Sequence, residues 1–408
     1  MGEKGSNQQL LRQKNYNLIK KYIFQHSPIS RVEVAQELDL TTPTITGMVT
    51  PLLTKGLLRE VSGAPNQDET RSAGRPRVML EYVPEAYYIC GVDVSPYHIN
   101  YVQTDLCGNI ICSRRTWETL KDYDSTFGIL ADGITDFIKA CEIPREKLLG
   151  VGICMPGLID GSAGKIYTNF QQGWNDHNLS AELEEKLKVP VVIENNVRAR
   201  AIGSDLFDRS AVAEPFAYFF VSYGVSCQMI ISDKVLYGQS AAAGEIGHTV
   251  VQRGGPVCPT CGNRGCLEAL AGERAVLQRC RDAMLAGEPT VLSRLCADPA
   301  ALTMEQVLQA QDMDDPVASA IIDDVIDYLG IALANIISLI SPKIVVLDGR
   351  MLDTPKNRVL ILEAVKRNMF RVLKNSTRFI ILPYQPDRGA RAAAAVVVRE
   401  LMLDKSMD

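Results

Sequence analysis

The stretch YYICGVDVSPYHINYVQTDLCGNIICSRR, Tyr87 to Arg115, holds two alternating apolar runs joined by a turn and a third run after Gly108-Asn109. Alternation of period two marks half-buried strands, so this reads as a hairpin with a third strand behind it. AYFFVSYGVSCQMIISDKVLYG, Ala217 to Gly238, opens a hairpin again. After the first come a helical stretch at Phe127 to Cys141, the buried strand of KLLGVGICMPGLID, and strand, turn and helix in VPVVIENNVRARAIGSDLF. After the second, IIDDVIDYLGIALANIISLISPKIVVLDG is a long apolar helix feeding a strand. A hairpin opening used twice, each time followed by helices, confines residues 86–408 to two α/β lobes with a cleft between them.

The 408 residues exceed one ordinary domain, and 46% apolar with 22% charged content excludes general disorder. The longest uncharged run, Pro215 to Ser232, carries Gln, Ser, Tyr and Gly, which suits two strands and not a membrane span. MGEKGSNQQL has no apolar signal core. The 11 cysteines are scattered, several inside strand-like runs (Cys90, Cys107, Cys112, Cys141, Cys154). Together these features predict a cytoplasmic protein with reduced thiols and no membrane partner. Charge is uneven: residues 1–80 hold 11 basic against 7 acidic side chains, the remainder 32 against 41. A basic head on an acidic body suggests that only the head meets a polyanion.

The head is predicted to span residues 1–82. Leu18, Ile19, Tyr22 and Ile23 fall on one helical face. Ser30 with Glu33 three residues on is a capping box, with Val34, Ala35 and Leu38 as the buried stripe. After a very short turn, Thr41 or Thr42 caps a further helix with Pro43 in its first turn and Ile45, Val49, Leu52 and Leu53 facing inward, while Pro51 argues against one unbroken helix. Helix, short turn and helix, the second led by the compact polar residues Thr41, Thr42, Thr44 and Thr46, is the helix-turn-helix pattern, whose second helix enters the major groove by its first turn. The other reading of these helices is a small bundle for protein contacts. GLLREVS and VMLEYV then flank a loop with Arg71, Arg75 and Arg77, a β-hairpin wing whose Gly74-Arg75-Pro76-Arg77 tip suits phosphates or a minor groove. Head and wing predict a winged helix-turn-helix bound to operator DNA.

In GHTVVQRGGPVCPTCGNRGCLE, His248, Cys258, Cys261 and Cys266 stand in the order H-x9-C-x2-C-x4-C. Three thiolates and an imidazole complete a closed tetrahedral zinc site within residues 245–268, and a closed site leaves no position for water activation, so the zinc would be structural. Gly262 and Gly265 allow the tight turn around it. Free buried thiols are the other reading.

Four stretches, GICMPGLIDG, IENN, GEIGH and CGNRGCLE, resemble those of the ROK family of repressors, open reading frames and kinases, over nearly the whole chain. The resemblance implies a body with the two-lobed actin-like, sugar-kinase (ribonuclease H-like) ATPase fold. A winged head before it looks like the repressor branch, of the xylose and N-acetylglucosamine kind. The first two cysteines of the family's cluster are usually spaced C-x-C, whereas Pro259-Thr260 makes the spacing C-x-x-C here. Carried over by motif, the sugar contacts would be Asn195, Glu245, His248 and Glu268, with one His248 ring nitrogen on zinc and the other on a sugar hydroxyl. Metal binding would then fix the tautomer and aim the remaining N–H.

The same resemblance places the kinase general base at Asn196, and a carboxamide accepts no proton near neutral pH. The family's first phosphate loop, roughly D-x-G-G-T, is GVDVSPYHI here, keeping Asp93 but substituting Ser95, Pro96 and Tyr97; the second is SYGVSCQ, keeping only Gly224. Phosphates need glycine backbones that approach closely and present N–H groups. The expectation is therefore a sugar-responsive repressor of a carbohydrate-use operon, not an enzyme, that binds a sugar or sugar phosphate and works as a homodimer or higher homo-oligomer. Its rivals are an active ATP-dependent sugar kinase with a DNA-binding head, and a DNA-binding protein whose signal is another protein.

Overall fold

The computed structural model describes residues 3–62, 77–169, 173–208, 215–232, 234–374 and 376–405. The chain forms two compact units, one of Met1–Arg209 with Asp387–Asp408 and one of Ser210–Pro386.

The first unit begins with α1 (Glu3–His26), β1 (Ile29–Ser30), α2 (Arg31–Glu37), α3 (Thr42–Thr54), β2 (Leu58–Ser62) and β3 (Val78–Tyr82). Ser30 Oγ accepts from Glu33 N while the Glu33 carboxylate accepts from Ser30 N at 2.9 Å, so the capping box forms as predicted. The Ser30 amide is the main reason the Glu33 carboxyl lies below the usual range. Thr41 caps α3. Contrary to expectation α3 runs unbroken through Pro51, whose missing N–H falls on a solvent-facing turn where Thr50 and Thr54 hydroxyls bond back to Thr46 and Thr50 carbonyls. Strands order as β1-β3-β2, with β2 and β3 the antiparallel pair expected to flank the wing loop, whose residues 63–76 lie outside the described residues.

The buried face of α1 is turned from the expected one. Tyr16, Ile19, Lys20 and Ile23 are buried, while Leu18 is 44% exposed. The cause is distant in sequence: Lys20 Nζ donates to the carbonyls of Met402 (2.7 Å) and Lys405 (2.8 Å), and Asn17 to that of Asp404 (2.9 Å). Burial pulls the Lys20 ammonium down to about 8.

Next come β4 (Tyr88–Val94), β5 (His98–Asp105), β6 (Ile110–Trp117), α4 (Tyr123–Ala140), β7 (Leu148–Met155), β8 (Leu158–Asp160), β9 (Lys165–Asn169), β10 (Trp174–His177), α5 (Leu179–Leu187), β11 (Val191–Asn195) and α6 (Asn196–Phe207). The main sheet orders β11-β7-β4-β5-β6, parallel from β11 to β4 and antiparallel from β4 to β6. Leu130, Ile134 and Phe137 of α4 share one core with Val92, Ile99 and Tyr101. The C-terminal helix Arg388–Val398 lies on the sheet so closely that a Cβ on Gly91 would stand 2.0 Å from the Ala390 carbonyl oxygen, and one on Gly152 2.1 Å from that of Ala393. One departure concerns the thiols: Cys112, on the sheet-edge strand β6, and Cys141, capping the C-terminus of α4, are joined by a disulfide. The pairing brings together residues 29 apart in sequence, which composition does not reveal.

In the second unit β12 (Phe216–Val221), β13 (Val225–Ile231), β14 (Lys234–Val235), β15 (Ile344–Asp348) and β16 (Arg378–Ile381) order as β14-β13-β12-β15-β16. The predicted hairpin is β12–β13, and the predicted apolar helix, Pro316–Ile340, supplies Ile322, Val325, Leu329 and Leu333 to the core. No helix among the described residues is long and apolar enough to cross a membrane.

Candidate functional site

In the second unit, a short turn at Ile246–His248 and the loop before the helix Leu267–Ala271 bring four side chains together. Ligand atoms of His248, Cys258, Cys261 and Cys266 all lie within 4.8 Å of one another, the one such group among the described residues. Cys258 Sγ stands 3.8 Å from His248 Nδ1 and Cys261 Sγ 3.6 Å from Cys266 Sγ. A tetrahedral ion with bonds of about 2.3 Å to sulfur puts neighbouring ligand atoms roughly 3.8 Å apart, so the residues present fit such an ion. The loop depends on glycine: Gly265 has φ +77°, and a Cβ there would stand 1.7 Å from the Gln252 carbonyl oxygen. Nδ1 of His248 faces the cysteines, which leaves Nε2 for another partner.

Glu245 and Glu268 flank this cluster. The Glu245 carbonyl accepts from His248 N at 3.1 Å, and the Glu268 carboxylate accepts from Thr260 Oγ1 at 2.5 Å. Gly247 lies between them: a Cβ there would stand 3.4 Å from Glu268 Cβ. Gly224, the one glycine kept from the second phosphate loop, has a local purpose as well, because a Cβ on it would come 2.4 Å from Glu268 Oε2. Both carboxylates are half-buried.

In the first unit Asn195 caps α6, its Oδ1 accepting from Val197 N (2.9 Å) and Arg198 N (3.2 Å) and its Nδ2 donating to Gly157 O at 3.0 Å. That leaves one Nδ2 hydrogen for a ligand. Asn196, half-buried, opens the first turn of α6. Asn169 went unnoticed in the sequence. It is fully buried beside Gly157, where a Cβ would lie 3.4 Å from Asn169 Cβ and 2.5 Å from the Thr168 carbonyl oxygen. Its local signal, a lone Asn ending a short strand, is too common to single it out.

Asp93, expected from the resemblance to be the retained residue of the first phosphate loop, has its carboxylate paired internally. Arg200 lies 3.2 Å from Oδ2 with both side chains buried, and Cys154 Sγ donates to Oδ1 at 3.3 Å. Burial first, then the Asp93 charge, push the Cys154 thiol well above its usual range. A Cβ on Gly389 would stand 1.9 Å from Asp93 Oδ2. The loop itself is closed: Ser95 N donates to His98 O at 3.0 Å, His98 N to Ser95 Oγ at 3.3 Å, and Pro96 has no N–H. Two of its amides are thus bonded within the turn, and Pro96 offers none.

On the head, Thr41, Thr42 and Thr46 are exposed at the start of α3, and Thr44 is half-buried with its Oγ1 2.8 Å from that of Thr41. Gly47, also overlooked, shares the exposed face, and a Cβ there would meet nothing within 4 Å. A glycine in an open helix interior costs roughly 0.5–1 kcal/mol against alanine, so its presence on this face fits a surface approached closely by something else. Arg77 is exposed, with Nη1 3.8 Å from the Glu33 carboxylate, and Arg71 and Arg75 lie outside the described residues.

Comparison with known proteins matches residues 89–400 to the ROK family. Over 404 residues the chain is 28% identical to the xylose repressor of Bacillus subtilis, covering 99% of this chain and 98% of that one. It is 25% identical over 406 residues to the DNA-binding transcriptional dual regulator NagC of Escherichia coli, covering 98% and 95%. Among solved structures, a ROK family transcriptional regulator described as a homologue of the E. coli MLC protein superposes with a TM-score of 0.80 at 23% identity, covering 97% of each chain. That superposition runs through head and body alike, so the whole α/β architecture is shared.

Proposed function

The chain belongs to the ROK family, and from that premise we propose that it is a cytoplasmic, sugar-responsive transcriptional repressor without kinase activity. Residues 1–82 form the winged helix-turn-helix and residues 86–408 the sugar-binding body. The observation that carries this reading is the Asp93–Arg200 pair. On a kinase-type body, the acidic side chain of the phosphate loop is neutralised by the chain itself, while the position of the general base is Asn196. The relatives matched over nearly their full length, one a xylose repressor and one a transcriptional regulator, support the same conclusion.

DNA is met by Thr41, Thr42, Thr44 and Thr46 in the major groove and by Arg75 and Arg77 of the wing on phosphates. The sugar contacts are Asn195, Glu245, His248 and Glu268; two carboxylates, an amide and an imidazole satisfy hydroxyls as donors and as acceptors. His248, Cys258, Cys261 and Cys266 hold a structural zinc, which fixes the His248 tautomer and stiffens the turn that carries Glu245. The protein acts as a homodimer or higher homo-oligomer on a two-fold operator, and the sugar shifts DNA affinity by binding the DNA-competent and DNA-released states unequally.

A melting-temperature screen of xylose, N-acetylglucosamine and glucose, free and phosphorylated, tests this together with ADP release from ATP and the same sugars. A rise with one sugar and no ADP is expected. ADP formation that Asn196→Ala abolishes would establish the kinase rival, and no rise with any sugar would point to a protein signal.

A further inference from the structure

We propose that Cys112 and Cys141 form a reversible redox site in the first unit, closed by a low-molecular-weight disulfide and opened by thiols. The bond joins two side chains that are both only partly buried. Most of the remaining thiols differ in kind. Cys90, Cys227 and Cys280 are buried, and burial pushes each up to about 12, where almost no thiolate exists at neutral pH. Cys258, Cys261 and Cys266 belong to the four-residue cluster. Cys90 stands in register behind the pair, since β4 places it opposite Gln103 and β5 places Gln103 opposite Cys112, yet its buried, protonated thiol is not a competing nucleophile.

The surroundings also set an order of attack. Cys112 is two residues from Arg114 on the same face of β6, and that guanidinium is held over the rings of Tyr101 and Phe137, with Nη2 donating to Gly133 O at 2.6 Å. A fixed cation favours the thiolate. Cys141 follows the last turn of α4, where the carbonyl end of the helix disfavours an anion. In the oxidising direction, the Cys112 thiolate attacks one sulfur of R′S–SR′ and expels R′S⁻, which takes up a proton. The Cys141 thiolate then attacks the Cys112 sulfur of the mixed disulfide and expels the second R′S⁻. Two protein thiols and one R′SSR′ become the internal disulfide and two R′SH, and excess thiol reverses both steps.

The bond fixes the free edge of the sheet. Among the described residues β6 pairs with β5 alone, and its exposed Ile110, Ile111 and Trp117 lie along the strand that the bond ties to α4.

The test uses the full-length chain in glutathione buffers from fully reduced to fully oxidised, with quenching, alkylation and peptide mass spectrometry at each poise. A cross-linked peptide pair holding Cys112 and Cys141 should appear as the poise becomes oxidising, disappear on return to reduced glutathione, and raise the melting temperature by several degrees while present. Cys141→Ser should trap a glutathione adduct on Cys112 faster than Cys112→Ser traps one on Cys141. Both residues still alkylated at the oxidising limit would overturn the proposal. So would a bond that reduced glutathione leaves closed in the folded chain. Equal trapping rates, or faster trapping on Cys141, would overturn the assigned order.

Discussion

Glu273 offers a test of the second unit that the pH of the buffer alone can drive. Its backbone N–H donates to Ser222 O at 2.8 Å, in the stretch expected to correspond to the family's second phosphate loop, and its side chain is buried. Desolvation outweighs the Arg350 charge and the Ser222 hydrogen bond and lifts the carboxyl from the usual 4.5 to about 7. At about 1.4 kcal/mol per pH unit, that gap corresponds to about 3 kcal/mol. The folded-state value is the higher one, so the contribution is complete below pH 4.5 and is lost as pH rises through about 7. Gln is a neutral isostere that never ionises. Glu273→Gln should therefore match the native chain at the acid end of this window and exceed it by about 3 kcal/mol at the alkaline end, because only the native side chain is then an ionised buried group. Urea unfolding of the full chain at both limits measures this, with intrinsic fluorescence and circular dichroism followed together. A difference that is the same at both limits would refute the argument from desolvation.

Three further outcomes are expected. Gly265→Ala forces a Cβ to within 1.7 Å of the Gln252 carbonyl at φ +77°; its zinc content, measured by elemental analysis, should fall well below one ion per chain, and full occupancy would show that the loop does not hold the ion. Gly47→Ala should stabilise the head by roughly 0.5–1 kcal/mol, since the site is open and helical, yet weaken DNA binding through the added methyl; unaltered affinity by fluorescence anisotropy would remove this face of α3 from the interface. Arg75→Ala combined with Arg77→Ala should weaken binding and flatten its dependence on salt, and an unchanged slope would remove the wing.

What could be read from the sequence was local. The Ser30–Glu33 box, a threonine cap on α3 (Thr41 of the two candidates Thr41 and Thr42) and the β12–β13 hairpin each depend on residues only a few positions apart, and all appear in the structure. The cluster of His248 with three cysteines was also legible, because all four residues fall within one short stretch of chain. What escaped depends on partners far along the chain. Lys20 is buried because carbonyls 382 and 385 residues away accept hydrogen bonds from its ammonium, and so α1 turns Leu18 outward. Arg200 reads as one more charge on a helix until Asp93, 107 residues earlier, is seen beside it. Cys112 and Cys141 meet only once β6 and α4 have packed on the same sheet. Asn195 shows how two signals overlap: the residue that the family motif marks as a sugar contact is also a well-made helix cap.

The most direct measurement of the central claim is fluorescence anisotropy of a duplex that the chain selects from a randomised pool, titrated with the full-length protein with and without each sugar of the panel. The account predicts tight, salt-dependent binding whose dissociation constant changes at least tenfold with one sugar and is the same whether or not ATP is added. Binding indifferent to every sugar, or altered only when ATP accompanies one, would contradict it.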